Sequence, residues 1–531
     1  MCGISGVAGQ EDIAKVLLKS IRNLEYRGYD SCGTAILDGS RIEVRKEVGS
    51  VDEVDEKVLL GEPLGRIGIA HTRWATHGGV TQDNAHPQIC CQGEFAVVHN
   101  GILSNYRELK EELSQKGHHF CSETDTEVIA HLMEEYYHQT KSIEEALVKS
   151  LKRLEGSYAL AIISIHEPDR IFCARKDSPL ILGLGNNRNF IGSDFNAFIE
   201  HTRNTVILED GEYAILTSNT HVIKKTISGE ACSKEVTQID WDIETAKKGG
   251  YPHYMLKEIY EQPQTVLNAL KVDRRVIQEL AHMISAADQT YWTGAGTTYY
   301  VSLVGQYFFS RLVHRYFPCV SSDEFPNLVE VNGSSLVAAI SQSGETFDTS
   351  NTLKYVKSKG AKTAAIVNVI GSSIARIVDL SILQGSGPEI CVVSTKAALA
   401  QMILLLRVAL ELALLEESIS NAEKEEMEEA LLALPKAIKL ILNEKAGFIN
   451  NLAQRCQHIK NWLFLGRGIY YPISLEVALK MKEVTYLHAE GMPAGFLKHG
   501  TLALIDADFY TVVLVPPKED EELYTLTLSS A

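Results

Sequence analysis

The chain is predicted to join an α+β region of layered antiparallel sheets to a run of α/β doubly wound modules, and three observations carry that expectation. Up to about residue 220, apolar residues fall in short strand-like runs, several of them alternating, as in Arg66-Ile67-Gly68-Ile69-Ala70, Glu94-Phe95-Ala96-Val97-Val98 and Ser157 through Ile163. From Tyr254 onward, strands lead into short loops and then helices, the pattern of a parallel sheet. Finally, Leu463-Phe464-Leu465-Gly466-Arg467-Gly468 repeats the pattern of Tyr291-Trp292-Thr293-Gly294-Ala295-Gly296, as two copies of one module would.

The elements follow in order. Helices over Ile13–Leu24, Tyr106–Gln115 and Thr126–Tyr137 interrupt the strands of the first region, residues 2–220, and are expected to lie outside its sheets. A polar stretch around Ser228–Gly250 marks a linker, placed at residues 221–253. A first module is expected over residues 254–435. In it Tyr291–Thr293, Leu336–Ile340 and Thr363–Val369 are strands, each followed by a glycine- or serine-rich loop. A Leu-, Ala- and Glu-rich helical block, Lys396–Leu442, separates the copies. The second module, residues 436–531, has a helix at Ile473–Leu487 and is expected to be incomplete, with no room for a full second sheet before Ala531.

Composition narrows the function classes. Of the 531 residues, 45% are hydrophobic and 22% charged, an ordinary globular profile, and the length suggests several domains. The formal charge of −17 argues against a nucleic-acid partner, which needs a basic face. No apolar run approaches a membrane span and no leader pattern opens the chain, so the expected location is cytoplasmic, with no membrane partner. The ten cysteines are scattered, and without a C-x-x-C pair they are expected to be reduced, with no metal site and no cofactor.

Cys2 follows the initiator methionine directly. Once Met1 is removed, one residue carries both a thiol and a free α-amine, whose ordinary pKa of ~7.7–8.0 suits it to be the thiol's base. His71-Thr72-Arg73-Trp74-Ala75-Thr76-His77-Gly78 adds a guanidinium that can clamp a carboxylate with paired hydrogen bonds. Asn100-Gly101 offers a side-chain amide and an approachable backbone N–H for an oxyanion hole, or simply a hairpin turn. Asp125 is either a partner for a substrate ammonium or a helix cap. The histidines His71, His77 and His86 are structural or chemical. A carboxylate clamp, an ammonium partner and a thiol acting on an amide together describe glutamine as substrate.

The second half has its own chemistry. Ser341-Gln342-Ser343-Gly344-Glu345-Thr346 is hydroxyl-rich where a strand meets a helix, a setting for a phosphate monoester. It is not a nucleotide P-loop, and Tyr299 occupies the third-glycine position of a dinucleotide fingerprint after Gly294-Ala295-Gly296. Glu476, Lys480 and Glu483 share one face of an otherwise apolar helix, as a structural ion pair or a proton-transfer pair. Lys498-His499-Gly500 adds an imidazole for acid–base work.

Met1-Cys2-Gly3-Ile4, Tyr26-Arg27-Gly28-Tyr29-Asp30-Ser31, His71 through Gly78, Asn84-Ala85-His86-Pro87, His99-Asn100-Gly101 and Ser122 through Glu127 resemble an N-terminal-nucleophile glutamine amidotransferase domain. With His253 through Ile259, Ser394-Thr395-Lys396-Ala397 and Lys480 through Gly500, nearly the whole chain resembles the glutamine–fructose-6-phosphate aminotransferase (isomerizing) family. The resemblance implies Cys2 as nucleophile and Asn100 with Gly101 as oxyanion hole. Arg73 and Asp125 would anchor glutamine, Trp74 would close over it, and Thr76, His77 and His86 complete that set. Thr298, Ser341, Gln342, Ser343, Thr346 and Ser394 would bind the sugar phosphate. Glu483 would move the C1/C2 proton, Lys480 would assist, and His499 would open the ring in the neighbouring subunit of a homodimer. Glutamine and fructose 6-phosphate are the implied substrates.

Departures are expected to matter. Phe496 stands where the family has an acidic residue and Thr501 where it has proline. Family members also continue into a tail bearing a Schiff-base lysine, expected to be absent here. A glutaminase with an inactive synthase half, or a non-catalytic sugar-phosphate sensor, are therefore the alternatives.

Overall fold

The computed structural model describes residues 2–75, 78–238, 250–506 and 508–531. It divides into two compact units, Met1–Ala246 and Lys247–Ala531. In the first unit eight strands form an antiparallel sheet, ordered Thr237–Gln238, Asn204–Ile207, Ile181–Leu184, Arg188–Gly192, Gly3–Gly9, Ile67–Arg73, Ser31–Asp38 and Arg41–Val48. A second antiparallel sheet of six strands runs His221–Lys225, Glu212–Leu216, Ile171–Lys176, Gly156–Ser164, Phe95–Leu103 and Gln88–Ile89.

Strand periodicity explains the layering. Along Phe95–Leu103, Ala96 and Val98 join Ile4, Ile69, Ala161 and Ile191 in the core between the sheets. Phe95 and Val97 point the other way and pack with Leu109, Val128, Leu132 and Leu147 of the covering helices. A strand buried on both faces reads as a continuous apolar run, as Phe95–Val98 does. Truncating a fully buried residue there, such as Ile162, to alanine costs about 2–5 kcal/mol.

The linker expected from residue 221 starts later. His221–Lys225 pairs along its length with Glu212–Leu216, and Ile223 is buried in the inter-sheet core. It is an edge strand, so its polar flanks face solvent and masked it in the sequence. Thr237–Gln238 pairs with Asn204–Ile207, and the rest of the expected linker, 239–249, lies outside the described residues.

The second unit holds a five-stranded parallel sheet ordered Cys319–Ser321, Gln289–Gly294, Ser335–Ser341, Lys362–Val367 and Leu380–Leu383. In chain order this is 2-1-3-4-5, so the order reverses between Gln289–Gly294 and Ser335–Ser341. Ligands of doubly wound sheets bind outside the carboxyl ends of the strands at such a point. The helical block is two helices, Lys396–Leu415 and Asn421–Arg455, the second opened by a Ser420–Glu423 capping box. The module boundary placed at residue 435 falls inside that second helix.

One apolar run does reach the length of a membrane span, against the expectation. Lys396–Leu415 is 20 residues long, and its most apolar 18-residue stretch has mean hydropathy 2.0. It is the central core helix of this unit, with Leu404, Leu405, Val408 and Leu412 fully buried among Ile277, Val301 and Phe309. The second module contributes three parallel strands, ordered His488–Pro493, Asn461–Gly466 and Phe509–Val513, with helix Tyr470–Thr485 beside them.

Candidate active sites

The Cys2 site is assembled by strand pairing. Gly3–Gly9 pairs with Ile67–Arg73, Gly3 lying opposite Thr72, so Cys2 and the end of the latter strand emerge together. The Trp74 N–H donates to Cys2 Sγ at 3.3 Å. Burial pushes the Cys2 thiol above its ordinary pKa, while the Trp74 N–H and the charge of Arg73 oppose that rise. The thiol therefore needs a base to become a nucleophile.

Asn100 secures the backbone of the nucleophile. Its Nδ2 donates to Cys2 O at 3.0 Å and to Ser193 Oγ at 2.8 Å, and Arg27 Nε also donates to Cys2 O at 3.0 Å. Both side-chain donors of Asn100 are thus engaged. His71 Nε2 lies 2.9 Å from Asn100 Oδ1 and 3.1 Å from His99 O, both acceptors, so Nε2 carries the proton. Burial holds His71 near a pKa of about 3, hence neutral. Gly101 has φ +135°, and a Cβ there would sit 2.1 Å from Ser157 O, so no other residue fits beside Asn100.

Arg73 is 3% exposed and its Nη1 donates to Gly79 O at 3.1 Å. Trp74 packs edge-on to Tyr29 at 5.3 Å. Asp30 accepts from Ser31 Oγ at 2.9 Å and from the Ala75 N–H, fixing the chain after Trp74. Asp125 is not the helix cap: Thr126 occupies that position, and the Asp125 carboxylate accepts from Leu103 N at 2.8 Å. Its other oxygen stands 3.9 Å from His99 Nδ1. His86 does not join the hydrogen bonds around Cys2. Its ring is buried and packs on His71 at 4.3 Å, and among the described residues neither ring nitrogen has a hydrogen-bond partner. Thr76 and His77 lie outside the described residues. Sequence reasoning missed Ser193 and Arg27 as supports of the N-terminus, although Arg27 lies within a motif it singled out.

In the second unit the Ser341–Thr346 loop lies at the point where the sheet reverses order. Ser341 Oγ is 3.0 Å from Thr346 Oγ1 and accepts from Gly344 N at 3.1 Å, and Ser343 Oγ accepts from Glu345 N at 3.1 Å. Glu345 reaches across to Ser373 N and Oγ at 2.8 and 2.7 Å, while Asn368 N donates to the Gln342 carbonyl at 3.1 Å. The Thr298 hydroxyl closes its own turn, bonded to Ala295 N and O at 3.0 Å each. Ser394 Oγ donates to Glu389 at 2.8 Å, a half-buried carboxylate that also accepts from Thr395 N and Ala397 N. His499 is exposed and faces Phe496 edge-on at 6.4 Å, and among the described residues no hydrogen bond joins it to Lys480 or Glu483.

The two modules meet at Lys480. Its Nζ lies 2.8 Å from Glu483 Oε2, 3.2 Å from Glu476 Oε1 and 2.8 Å from Thr297 Oγ1, and Thr297 in turn donates to Glu476 at 3.2 Å. Burial raises Glu476 to about 7, against the pull of Lys480. Thr297, from the first module, was missed: in the sequence it reads only as a helix-opening residue after Gly296.

Comparison with known proteins agrees with this architecture. Residues 71–200 match the family described as Glutamine amidotransferase domain, and residues 283–410 and 457–528 match the SIS domain. A glutamine–fructose-6-phosphate aminotransferase [isomerizing] of Thermococcus kodakarensis is 44% identical over 97% of this chain and 86% of its own length. That of Methanococcus maripaludis is 44% identical over 98% of this chain and 87% of its own. The solved C-terminal domain of glucosamine-fructose-6-phosphate aminotransferase from Francisella tularensis is 34% identical, covers 54% of this chain and 81% of that one, and has a TM-score of 0.49. The chain belongs to the glutamine–fructose-6-phosphate aminotransferase (isomerizing) family.

Proposed function

We infer that the chain is a glutamine-dependent synthase that makes glucosamine 6-phosphate and glutamate from fructose 6-phosphate and glutamine. The observation that carries this reading is the pairing, in one chain, of a hydrogen-bonded, half-buried N-terminal thiol with a hydroxyl loop at the reversal point of a parallel sheet. Near-full-length similarity to relatives bearing that name supports it.

In this reading the α-amine of Cys2, freed by loss of Met1, takes the thiol proton. The thiolate attacks the glutamine amide, and the tetrahedral oxyanion is held by Gly101 and by Asn100, which turns one Nδ2 proton away from Ser193 Oγ or Cys2 O to reach it. Collapse expels ammonia, the α-ammonium of Cys2 returning the thiol's proton to the leaving nitrogen, and leaves a glutamyl thioester, which water hydrolyses to glutamate. Arg73 and Asp125 hold the substrate's carboxylate and ammonium, Trp74 covers it, and Thr76, His77 and His86 shape the pocket. Because Asn100 already grips Cys2 O, it also keeps the nucleophile in place between turnovers.

Fructose 6-phosphate places its phosphate on Ser341, Gln342, Ser343 and Thr346, with Thr298 and Ser394 closing that pocket. Glu483 moves the proton between C1 and C2, Lys480 assists, and Glu476 with Thr297 fixes the Lys480 ammonium. His499, on an exposed segment, acts in the partner subunit of a cytoplasmic homodimer. Ammonia must travel sheltered, because in water it protonates and ceases to be a nucleophile. The test is a product count on the purified 531-residue chain given both substrates. Glutamate and glucosamine 6-phosphate in equal amounts are expected; glutamate alone overturns the synthase half of the reading.

A further inference from the structure

Four side chains with metal-binding atoms converge in the first unit, and among the described residues no hydrogen bond joins them to the Cys2 network. Cys91 lies in the turn between strands Gln88–Ile89 and Phe95–Leu103, His118 follows helix Tyr106–Gln115, and His131 and Glu134 sit one turn apart on helix Glu127–Thr140. Cys91 Sγ is 3.8 Å from His118 Nδ1 and 3.6 Å from His131 Nδ1. Glu134 Oε2 is 3.1 Å from His118 Nδ1 and 3.8 Å from His131 Nδ1, and all four donor atoms lie within 4.8 Å of one another. Tetrahedral zinc with one sulfur, two nitrogens and one oxygen at ordinary bond lengths spaces its ligands about 3.3–3.6 Å apart. The separations found here bracket that value.

The surroundings match what metal-bound histidines require. Each imidazole turns Nδ1 toward the centre and Nε2 toward a carboxylate: His131 Nε2 lies 3.6 Å from Glu127 Oε1, and His118 Nε2 lies 3.5 Å from Glu135 Oε2. A carboxylate behind each histidine fixes ring orientation and raises ligand basicity. Glu134 Oε1 is oriented by Gln92 N at 2.9 Å, and Cys91 Sγ accepts from His119 N at 3.3 Å. His131 and Glu134 are 1% and 2% exposed, and Glu134 Oε2 is the oxygen aimed into the cluster, facing both histidine Nδ1 atoms. Ion pairing with protonated histidines accounts for the carboxylates but not for a thiol converging on the same point.

We propose that Cys91, His118, His131 and Glu134 bind one divalent cation, zinc by preference, as a closed structural site. One thiolate and one carboxylate neutralise its charge, and mixed sulfur and imidazole donors in a four-coordinate arrangement suit zinc over harder cations. The cation ties two chain segments, those of Cys91 and His118, to the helix that begins just after Asp125, so it braces the platform on which Asp125 is held. A cavity of about 370 Å³ lined by Lys46, Cys91, Cys121, Glu127 and His131 gives it an entry path. The sequence hid the site. Cys90 and Cys91 are adjacent, but Cys90 is buried in the core while Cys91 points out, and the ligands come from three separated segments.

The test uses the full-length chain. After growth with zinc and dialysis against metal-free buffer, elemental analysis is expected to find about one zinc per chain. The Cys91→Ser and His131→Ala variants should retain less than about a tenth of that, and Glu127→Gln should weaken affinity about 10–100-fold. Titrating the metal-depleted chain with Co2+ should give a thiolate-to-cobalt charge-transfer band and the intense visible bands of four-coordinate cobalt, bleached by added Zn2+. That band should vanish in Cys91→Ser and persist in Cys121→Ser. Zinc lost on dialysis, a weak six-coordinate cobalt spectrum, or a band unchanged in Cys91→Ser overturns the proposal. The spectrum of the unmodified chain decides even if a variant fails to fold.

Discussion

Asn100 donates its side-chain N–H to the carbonyl oxygen of Cys2 at 3.0 Å, so the residue expected to stabilise the oxyanion also anchors the nucleophile's own backbone. Its orientation is not free. His71, neutral and protonated on Nε2, donates to Asn100 Oδ1 and thereby turns the amide nitrogen toward Cys2 and Ser193. Strand Phe95–Leu103 and the N-terminus are thus joined through one carboxamide.

Replacing that carboxamide should therefore be costly. Asn100→Asp keeps the shape but puts acceptors against Cys2 O and Ser193 Oγ, and it removes a donor from the oxyanion. We expect kcat for glutamine hydrolysis to fall about 10²–10³-fold, with KM changed much less. Steady-state kinetics of glutamate release checks this, and an unchanged kcat would remove Asn100 from the mechanism.

Cys2→Ala should reduce glutamate release to background while leaving binding of fructose 6-phosphate intact, since the Ser341–Thr346 loop proposed to take its phosphate lies in the second unit. Mass spectrometry of the active chain should show Met1 removed. Full glutaminase activity in a chain that keeps Met1 would show that the base is not the α-amine.

The paired histidines His71 and His86 should make the first unit acid-labile. Burial lowers His71 from its ordinary value of 6.5 to about 3, and lowers His86 well below 6.5. The unfolded chain therefore binds more protons between those values. The stabilisation is fully present above pH 6.5 and is lost as pH falls toward 3, at up to about 1.4 kcal/mol per pH unit for each group. Urea unfolding of the amidotransferase unit at pH 7 and pH 5 measures the loss. His86→Gln should shrink the difference, and an equal drop in that variant would rule out His86 as a cause.

Much of this was legible in the sequence. Alternation located the strands around Ile69, Val98 and Ile162, and the loops at Gly294 and Ser341 announced a parallel sheet. Individual contacts were less legible where partners lie far apart along the chain. Thr297 meets Glu476 across 179 positions, which no local pattern records. Strand His488–Pro493 was not anticipated because His488, Glu490 and Gly491 break the apolar alternation, yet its hydrogen bonds to Asn461–Gly466 need no apolar side chains. The Cys91 cluster was missed because its ligands come from three segments.

The pair of carboxylates around Lys480 should separate kinetically. Glu476, raised to about 7, should impose an inflection near pH 7 on isomerisation, with activity rising as it ionises and holds Lys480. Glu476→Gln should remove the inflection, whereas Glu483→Gln should lower the rate about 10²–10⁴-fold at every pH. Isotope exchange at C1 of the sugar phosphate, followed from pH 6 to 9, reads both. An inflection that persists in Glu476→Gln would assign it elsewhere.

Gly344 tests whether the hydroxyl loop holds the phosphate. Its φ is +65°, where a side chain costs about 1–2 kcal/mol, and an added Cβ would stand 2.0 Å from Ser372 Oγ and 2.5 Å from Ser372 Cβ. The loop must then shift, carrying with it the Gly344 N–H that Ser341 Oγ accepts and the Gly344 carbonyl that accepts from Ile374 N at 2.9 Å. Gly344→Ala should raise KM for fructose 6-phosphate about tenfold or more, the equivalent of about 1.4 kcal/mol. Glutaminase kcat should be untouched. Adding Ser372→Ala should not rescue binding, because the Ser372 Cβ contact remains after the hydroxyl is gone. Full rescue by that double variant would locate the strain in the hydroxyl alone, and an unchanged KM in Gly344→Ala would move the phosphate to another loop.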